Sequence, residues 1–316
     1  MEQNKDRFLV FANKNLQIFE VLIWYACNAN CFFCSNDPVW RSVNPRSVRE
    51  RTSEVLKQIY EAKKKGFQIL GLTGGEPTIY PDIFKVLAFA KNLGFQTIRI
   101  QTNAIRLSDI DFCKKIIAAG VNFVKFSISS HKAAVHDYQS QVPGNFEMNM
   151  KALDNLAKLE VSTEVNTVIT KMNYKFIPQF VAKMSEKRIS RLVIISPRYT
   201  GRMATRPDMH VTLTQSQPYI QEAIDLAKDL GMANVIVLNV PLCFMTGYEN
   251  HVAERSPFNV EVSTPMGGQI QRVQENLDTG KVKSAVCQKC RYDKECNGVW
   301  REYAHFFGLD EVRPVK

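Results

Sequence analysis

Phe67-Gln-Ile-Leu-Gly-Leu-Thr73, Gly74-Gly75-Glu76-Pro77, Ile83-Phe-Lys-Val-Leu-Ala-Phe-Ala-Lys-Asn-Leu93 and Gln96-Thr-Ile-Arg-Ile-Gln-Thr102 follow one another along the chain. The first and last are short β-rich runs, and the third is amphipathic with helical spacing and a glycine, Gly94, at its expected stop. A strand, a helix and a second strand in this order make a parallel pair with a helical crossover. The pattern repeats on both sides. Strands are expected at Phe19–Tyr25, Phe123–Ser129, Glu164–Thr170 and Arg191–Ser196, and helices at Glu50–Lys65, Ser108–Ala119, Phe146–Leu159 and Phe176–Lys187, with a sixth at Gln217–Leu230. Gly66, Gly120 and Gly231 mark further helix stops. Six such units predict an α/β fold, a partial (β/α)6 TIM-like barrel over residues 18–205, after a lead-in at 1–17. Beyond about residue 205 the rhythm changes to one helix, an apolar strand at Val235–Val240 and a polar stretch, which predicts a small cysteine-rich C-terminal extension over 206–316.

Barrels of parallel strands carry their chemistry on the loops that follow the strands. The unusual residues of this chain fall there. Strand one runs into Cys27–Cys34, strand two into Gly74-Gly75-Glu76-Pro77, strand three ends at Thr102-Asn103, and strand four at Ser127 to His131. Strand five carries Asn166, and strand six runs into Pro197-Arg198-Tyr199-Thr200-Gly201-Arg202.

With 316 residues, 45% of them hydrophobic and 23% charged, the chain has the balance of a soluble globular protein, which excludes disordered and collagen-like classes. No apolar stretch has membrane-spanning length and the N-terminus lacks a signal-peptide core, so a cytoplasmic protein without a membrane partner is expected. The net charge of +10 (41 basic against 31 acidic residues) suggests anionic partners. The basic residues are spread out, as in Lys63-Lys64-Lys65 and Lys281 to Lys294, which fits solvated helix faces; no nucleic-acid partner is expected.

Seven of the eight cysteines form two groups, and Cys113 stands apart among Ile110, Ile116 and Ile117 as a core residue. In a chain without an export signal, close triplets point to metal or cluster chemistry rather than disulfides. Cys27-Asn-Ala-Asn-Cys31-Phe-Phe-Cys34 supplies three thiolates, one short of the four that a four-iron cluster needs, so one iron would stay open. Buried cysteines on a helical stripe are the bland alternative, disfavoured by the preceding strand and the two asparagines; a structural zinc site would want a fourth ligand nearby. Cys243 with Cys287-x2-Cys290-x5-Cys296 gives four thiolates, a full shell for a [4Fe–4S] cluster and equally for zinc.

The C-x3-C-x2-C loop after strand one, with Phe33 before its last cysteine, and Gly74-Gly75-Glu76-Pro77 after strand two resemble the two signatures of radical S-adenosylmethionine (radical SAM) enzymes. The resemblance spans residues 18 to 205. It implies that Cys27, Cys31 and Cys34 hold a [4Fe–4S] cluster whose open iron binds S-adenosylmethionine, and that a 5′-deoxyadenosyl radical abstracts a hydrogen atom from substrate. Beside S-adenosylmethionine it places Gly74 and Gly75 for close backbone approach, Glu76 for its ammonium group, Phe33 for its adenine, Ser127, Ser129 and Asn166 for its ribose, and Arg198 or Arg202 for its carboxylate or for an anionic substrate. Strand-end capping, a solvated loop and core packing are the competing readings of these residues. The C-x2-C-x5-C group resembles part of the SPASM domain. Where that pattern has a further cysteine this chain has Trp300, so the shortened, one-cluster Twitch version is implied, with Cys243, Cys287, Cys290 and Cys296 as its ligands.

Such an auxiliary cluster implies a net oxidation, with flavodoxin or ferredoxin as electron donor. The substrate expected from family habit is a peptide or protein side chain, modified without an N-terminal peptide-recognition domain, since fewer than twenty residues precede strand one. Oxidation or redox-neutral epimerisation of a small metabolite (a sugar, aminocyclitol or tetrapyrrole intermediate) is the alternative, and a non-catalytic iron–sulfur or zinc protein a distant one. His131 and His136 are read as surface positions near the mouth, and Tyr25 and Asp37 as flanking residues that could meet substrate.

Overall fold

The computed structural model describes residues 17–36, 48–255, 259–263 and 270–316. The lead-in, but for its last residue, and Asp37 lie outside these residues. Seven parallel strands follow one another in space as in sequence: β1 (Ile18–Trp24), β2 (Ile69–Gly74), β3 (Thr97–Thr102), β4 (Phe123–Ser127), β5 (Ser162–Val168), β6 (Arg191–Ile195) and β7 (Val235–Leu238). The helical crossovers are α1 (Val48–Lys64), α2 (Ile83–Asn92), α3 (Ile110–Ala118), α4 (Ala133–Ser140), α5 (Asn145–Lys158), α6 (Ile177–Ser185) and α7 (Leu213–Asp229). Sequential strand order with helices between neighbours is the geometry of a β/α barrel wall. Two more strands extend the sheet: β8 (Val260–Ser263) pairs parallel with β1, and β9 (Ile270–Arg272) pairs antiparallel with β8.

The helices form because their apolar residues return every three to four positions. On α1, Val55, Ile59 and Ala62 are buried, and on α3, Phe112, Cys113 and Ile116. Side chains of the strands alternate. On β1, Phe19, Val21 and Ile23 are buried in the main core, while Glu20, Leu22 and Trp24 are only partly covered. The core therefore lies between sheet and helices, and the side chains of the other face of the sheet point into the barrel.

The sheet does not end at the sixth strand. β7 pairs in register with β6, Leu192 to Ile195 against Val235 to Leu238, across the boundary expected at 205. The strand expected at Val235–Val240 is β7, and the long connection after β6, with a 3-10 turn at Pro207–Met209, sets it apart from the six regular units. The rest of the C-terminal region holds α8 (Val273–Gly280), the short pair β10 (Lys281–Val282) and β11 (Val299–Trp300), and α9 (Arg301–Phe307). No helix among the described residues is long and apolar enough to cross a membrane.

Candidate functional site

The loop after β1 carries Cys27, Cys31 and Cys34, all partly exposed at the mouth. Its backbone is held from two sides. Asn30 and Phe32 donate N–H bonds to the carbonyls of Ser140 and Gln139 (3.2 and 2.9 Å), at the end of α4. Arg202, from the loop after β6, donates its N–H to the Cys34 carbonyl at 3.0 Å and its guanidinium to the Asn30 carbonyl, and Arg206 lies 3.9 Å over the Phe32 ring. Arg202 thus clasps the cysteine loop instead of standing free for an anion. At Cys27, the sulfur accepts from the Ala29 N–H at 3.5 Å and from Asn103 Nδ2 at 3.8 Å. Phe33 is half-buried against the main core.

Gly74 and Gly75 explain themselves through the same loop. Gly75 donates to the Trp24 carbonyl at 2.7 Å and Glu76 to the Ala26 carbonyl at 2.8 Å, so the second motif runs alongside the first. A Cβ on Gly75 would stand 2.1 Å from the Ala26 oxygen. The close approach that requires glycine is between the two motifs themselves. The carboxylate of Glu76, expected to meet an ammonium group, turns inward. It is fully buried and accepts from Thr78 N (2.9 Å), the Thr78 hydroxyl, Thr102 Oγ1 (2.6 Å) and Asn103 N (2.6 Å). Burial raises its pKa, and these donors pull back. Glu76 is a positioning residue that ties the β2 loop to the end of β3. Its donors lie up to 27 residues away, and no local signal announced them.

Deeper in the mouth, Ser127 on β4 sits opposite Asn166 on β5, and Asn166 Oδ1 is buried with no hydrogen-bond partner among the described residues. Ser129 is engaged by His136: the Ser129 N–H donates to its Nδ1 at 3.0 Å. His136 is 1% exposed, which corrects the surface reading. Burial pushes its pKa down to about 4 from an ordinary 6.5. The folded protein keeps this ring neutral, whereas the unfolded chain takes up a proton below 6.5, so stability is lost as pH falls from 6.5 to about 4. His136→Gln is expected to reduce the stability lost between about pH 7 and about pH 4.5 by about 2 kcal/mol, read from urea midpoints at the two pH values multiplied by the m-value.

Arg198 does not point free at the mouth. Its guanidinium pairs with Glu302 at 3.2 Å and stacks 4.2 Å over Trp300, so the β6 loop is fastened to α9. Cys113 is fully buried, donates to the Leu107 carbonyl at 3.0 Å and has a pKa raised to about 11, as a core thiol should. Far from the mouth in sequence, Cys243, Cys287, Cys290 and Cys296 line one cavity together with Tyr292 and Val312. Burial, reinforced by the three neighbouring thiols, pushes Cys243 up to about 12. Among the described residues no three Cys, His, Asp or Glu side chains group around a single metal ion. Four thiols lining one cavity are a donor set suited to an iron–sulfur cluster, and the three thiols of the β1 loop are donors of the same chemical type.

The chain is similar to several known proteins. AdoMet-dependent heme synthase of Methanosarcina barkeri is 31% identical over 152 residues, 48% of this chain and 42% of that protein. Mycofactocin maturase MftC of Mycobacterium tuberculosis is 28% identical over 196 residues, 60% of this chain and 47% of that protein. The chain thus spans about half the length of the curated relatives it matches. Streptococcus suis SuiB, solved bound to precursor peptide SuiA, superposes over 95% of this chain and 75% of its own with a TM-score of 0.67 at 15% identity, a likeness of fold. The Radical SAM superfamily model matches residues 21–182, which cover the cysteine loop, the Gly-Gly-Glu-Pro turn and more than half of the chain, and the chain belongs to that superfamily.

Proposed function

We propose that this radical SAM enzyme carries a second, auxiliary [4Fe–4S] cluster in a Twitch-like C-terminal region and uses it to oxidise a peptide or protein side chain. The observation that carries the reading is the gathering of Cys243, Cys287, Cys290 and Cys296 around one cavity. The name of the mycofactocin maturase and the peptide bound to SuiB support a peptide substrate. The heme synthase name supports the second reading, a small metabolite such as a tetrapyrrole.

When bound, the first cluster and S-adenosylmethionine supply hydrogen-atom abstraction, the second cluster supplies an electron sink, and flavodoxin or ferredoxin supplies the reducing electron. The residues of the chain bind and orient. Cys27, Cys31 and Cys34 hold the first cluster, and the Asn103 amide donates to the Cys27 sulfur. The unpartnered Asn166 Oδ1 would accept from a ribose hydroxyl, with Ser127 beside it. Gly74 and Gly75 would offer backbone to the methionine part, Phe33 would flank the adenine, and Glu76 fixes the turn that carries the two glycines.

Iron and acid-labile sulfide after anaerobic reconstitution test the proposal. About eight irons per chain are expected in the wild type and about four in Cys287→Ala/Cys290→Ala. The variant is expected to keep reductive cleavage of S-adenosylmethionine and to lose the oxidised product. About four irons in both proteins, with zinc in the wild type, would sink the auxiliary-cluster reading.

A further inference from the structure

The lumen of the barrel carries a charged layer below the mouth. Lys125 on β4 lies in register with Gln101 on β3 and with Glu164 on β5, and Glu164 with Arg191 on β6. Glu164 Oε2 accepts from Arg191 at 3.1 Å, and its Oε1 stands 3.5 Å from Lys125 Nζ. Glu20 on β1 pairs with Arg99 on β3 across β2. This is possible because the residue between them is Gly71, where a Cβ would come within 2.9 Å of Glu20 Cγ and 3.0 Å of Arg99 Nε. Lys125 is near enough to Glu20 to favour its charged form, and Arg99 near enough to Arg191 to disfavour its charge, so the five groups form one cluster.

Among the described residues this cluster holds three cations and two carboxylates. Each carboxylate has its own arginine. Lys125, which shares Glu164 with Arg191, leaves the cluster with one positive charge in excess, and its side chain is 17% exposed, beside the exposed Gln101. A surplus positive charge in a partly desolvated cavity is costly until an anion arrives. Toward β7 the lumen wall turns apolar, through Ile195, Ile236 and Leu238, all partly exposed on the same face.

We infer that Lys125 binds a carboxylate carried by the substrate, whose apolar body lies against the β6–β7 wall. One surplus charge matches a carboxylate; a phosphate dianion would leave negative charge uncompensated. The inference rests on the enzymatic reading above and narrows its substrate class to acids. A glutamate or aspartate of a peptide and a propionate of a tetrapyrrole offer the same group.

Equilibrium dialysis under anaerobic conditions tests this with the reconstituted full chain. One pair of probes is an end-capped Leu-Leu-Glu-Leu-Leu peptide and its glutamine counterpart; the other is mesoporphyrin and its dimethyl ester. In at least one pair the acid is expected to bind about tenfold more tightly than the neutral partner. Lys125→Met is expected to erase that preference and Lys125→Arg to keep it. The pair that discriminates identifies the source of the carboxylate. Equal retention within both pairs, no binding of any probe up to about 1 mM, or a preference that survives in Lys125→Met would overturn the inference. The wild-type ratio decides even if Lys125→Met misfolds. Formation of 5′-deoxyadenosine by the wild type, followed separately, reports on the enzymatic reading alone.

Discussion

Replacing Cys31 with alanine is expected to remove about four irons per chain and to reduce S-adenosylmethionine cleavage to the background of the metal-free protein. The reason is chemical rather than conformational. The loop is held by main-chain bonds from Asn30 and Phe32 to the end of α4, and from Arg202 to Cys34, none of which uses the Cys31 sulfur. Removing that sulfur leaves these main-chain bonds in place and leaves the cluster with two protein ligands. Iron analysis, the electron paramagnetic resonance signal of the reduced protein and chromatography of 5′-deoxyadenosine read the result. Cys113→Ala is the control: its thiol is buried in the core and is expected to leave iron content unchanged. Normal iron and cleavage in Cys31→Ala would remove Cys31 from the ligand set.

The second large effect is expected at Gly75. A methyl group there would meet the Ala26 oxygen at 2.1 Å and the Tyr25 oxygen at 2.5 Å, both main-chain atoms that cannot rotate away. Relief requires breaking the bonds from Gly75 to Trp24 and from Glu76 to Ala26, which align the two motifs. Gly75→Ala is therefore expected to destabilise the protein by about 4 kcal/mol, at the upper end for a single substitution. Gly94→Ala sets the scale. Gly94 has φ +76° with nothing within 4 Å, so it bears only the left-handed backbone cost of about 1 kcal/mol. Urea unfolding of the two variants side by side measures the difference; equal midpoints would show that the motifs are not pressed together at this point.

Much of the barrel was legible because its rules are local. β1 through β6 and their main helices follow from alternation and helical spacing, and β1 was expected at Phe19–Tyr25 against the observed Ile18–Trp24. α4 was missed because eight residues with no side-chain cap and weak amphipathicity give little signal. The burial of His136 was hidden for the same reason, since it lies on that helix. Contacts over long separations were beyond a linear reading: Arg198 meets Glu302, 104 positions away, and Glu76 draws a donor from Asn103. The lumen charges did leave a mark. Glu20, Arg99, Lys125 and Glu164 interrupt otherwise β-rich runs, and a charge inside a strand face that is not on the outer surface asks for a lumen partner.

The pairing of β1 with β8 bears on how the molecule is made. β1 lies between β2 and a strand that begins at Val260, so one of its two neighbours is synthesised some 240 residues after it. During translation the first strand waits with an open edge until that segment leaves the ribosome. Such distant pairing slows folding and leaves hydrogen-bonding groups available to wrong partners. Delivery of iron to the loop at the end of β1 is thus best timed after the β8 segment has paired, and expression hosts with ample chaperone supply should give more soluble, fully loaded protein.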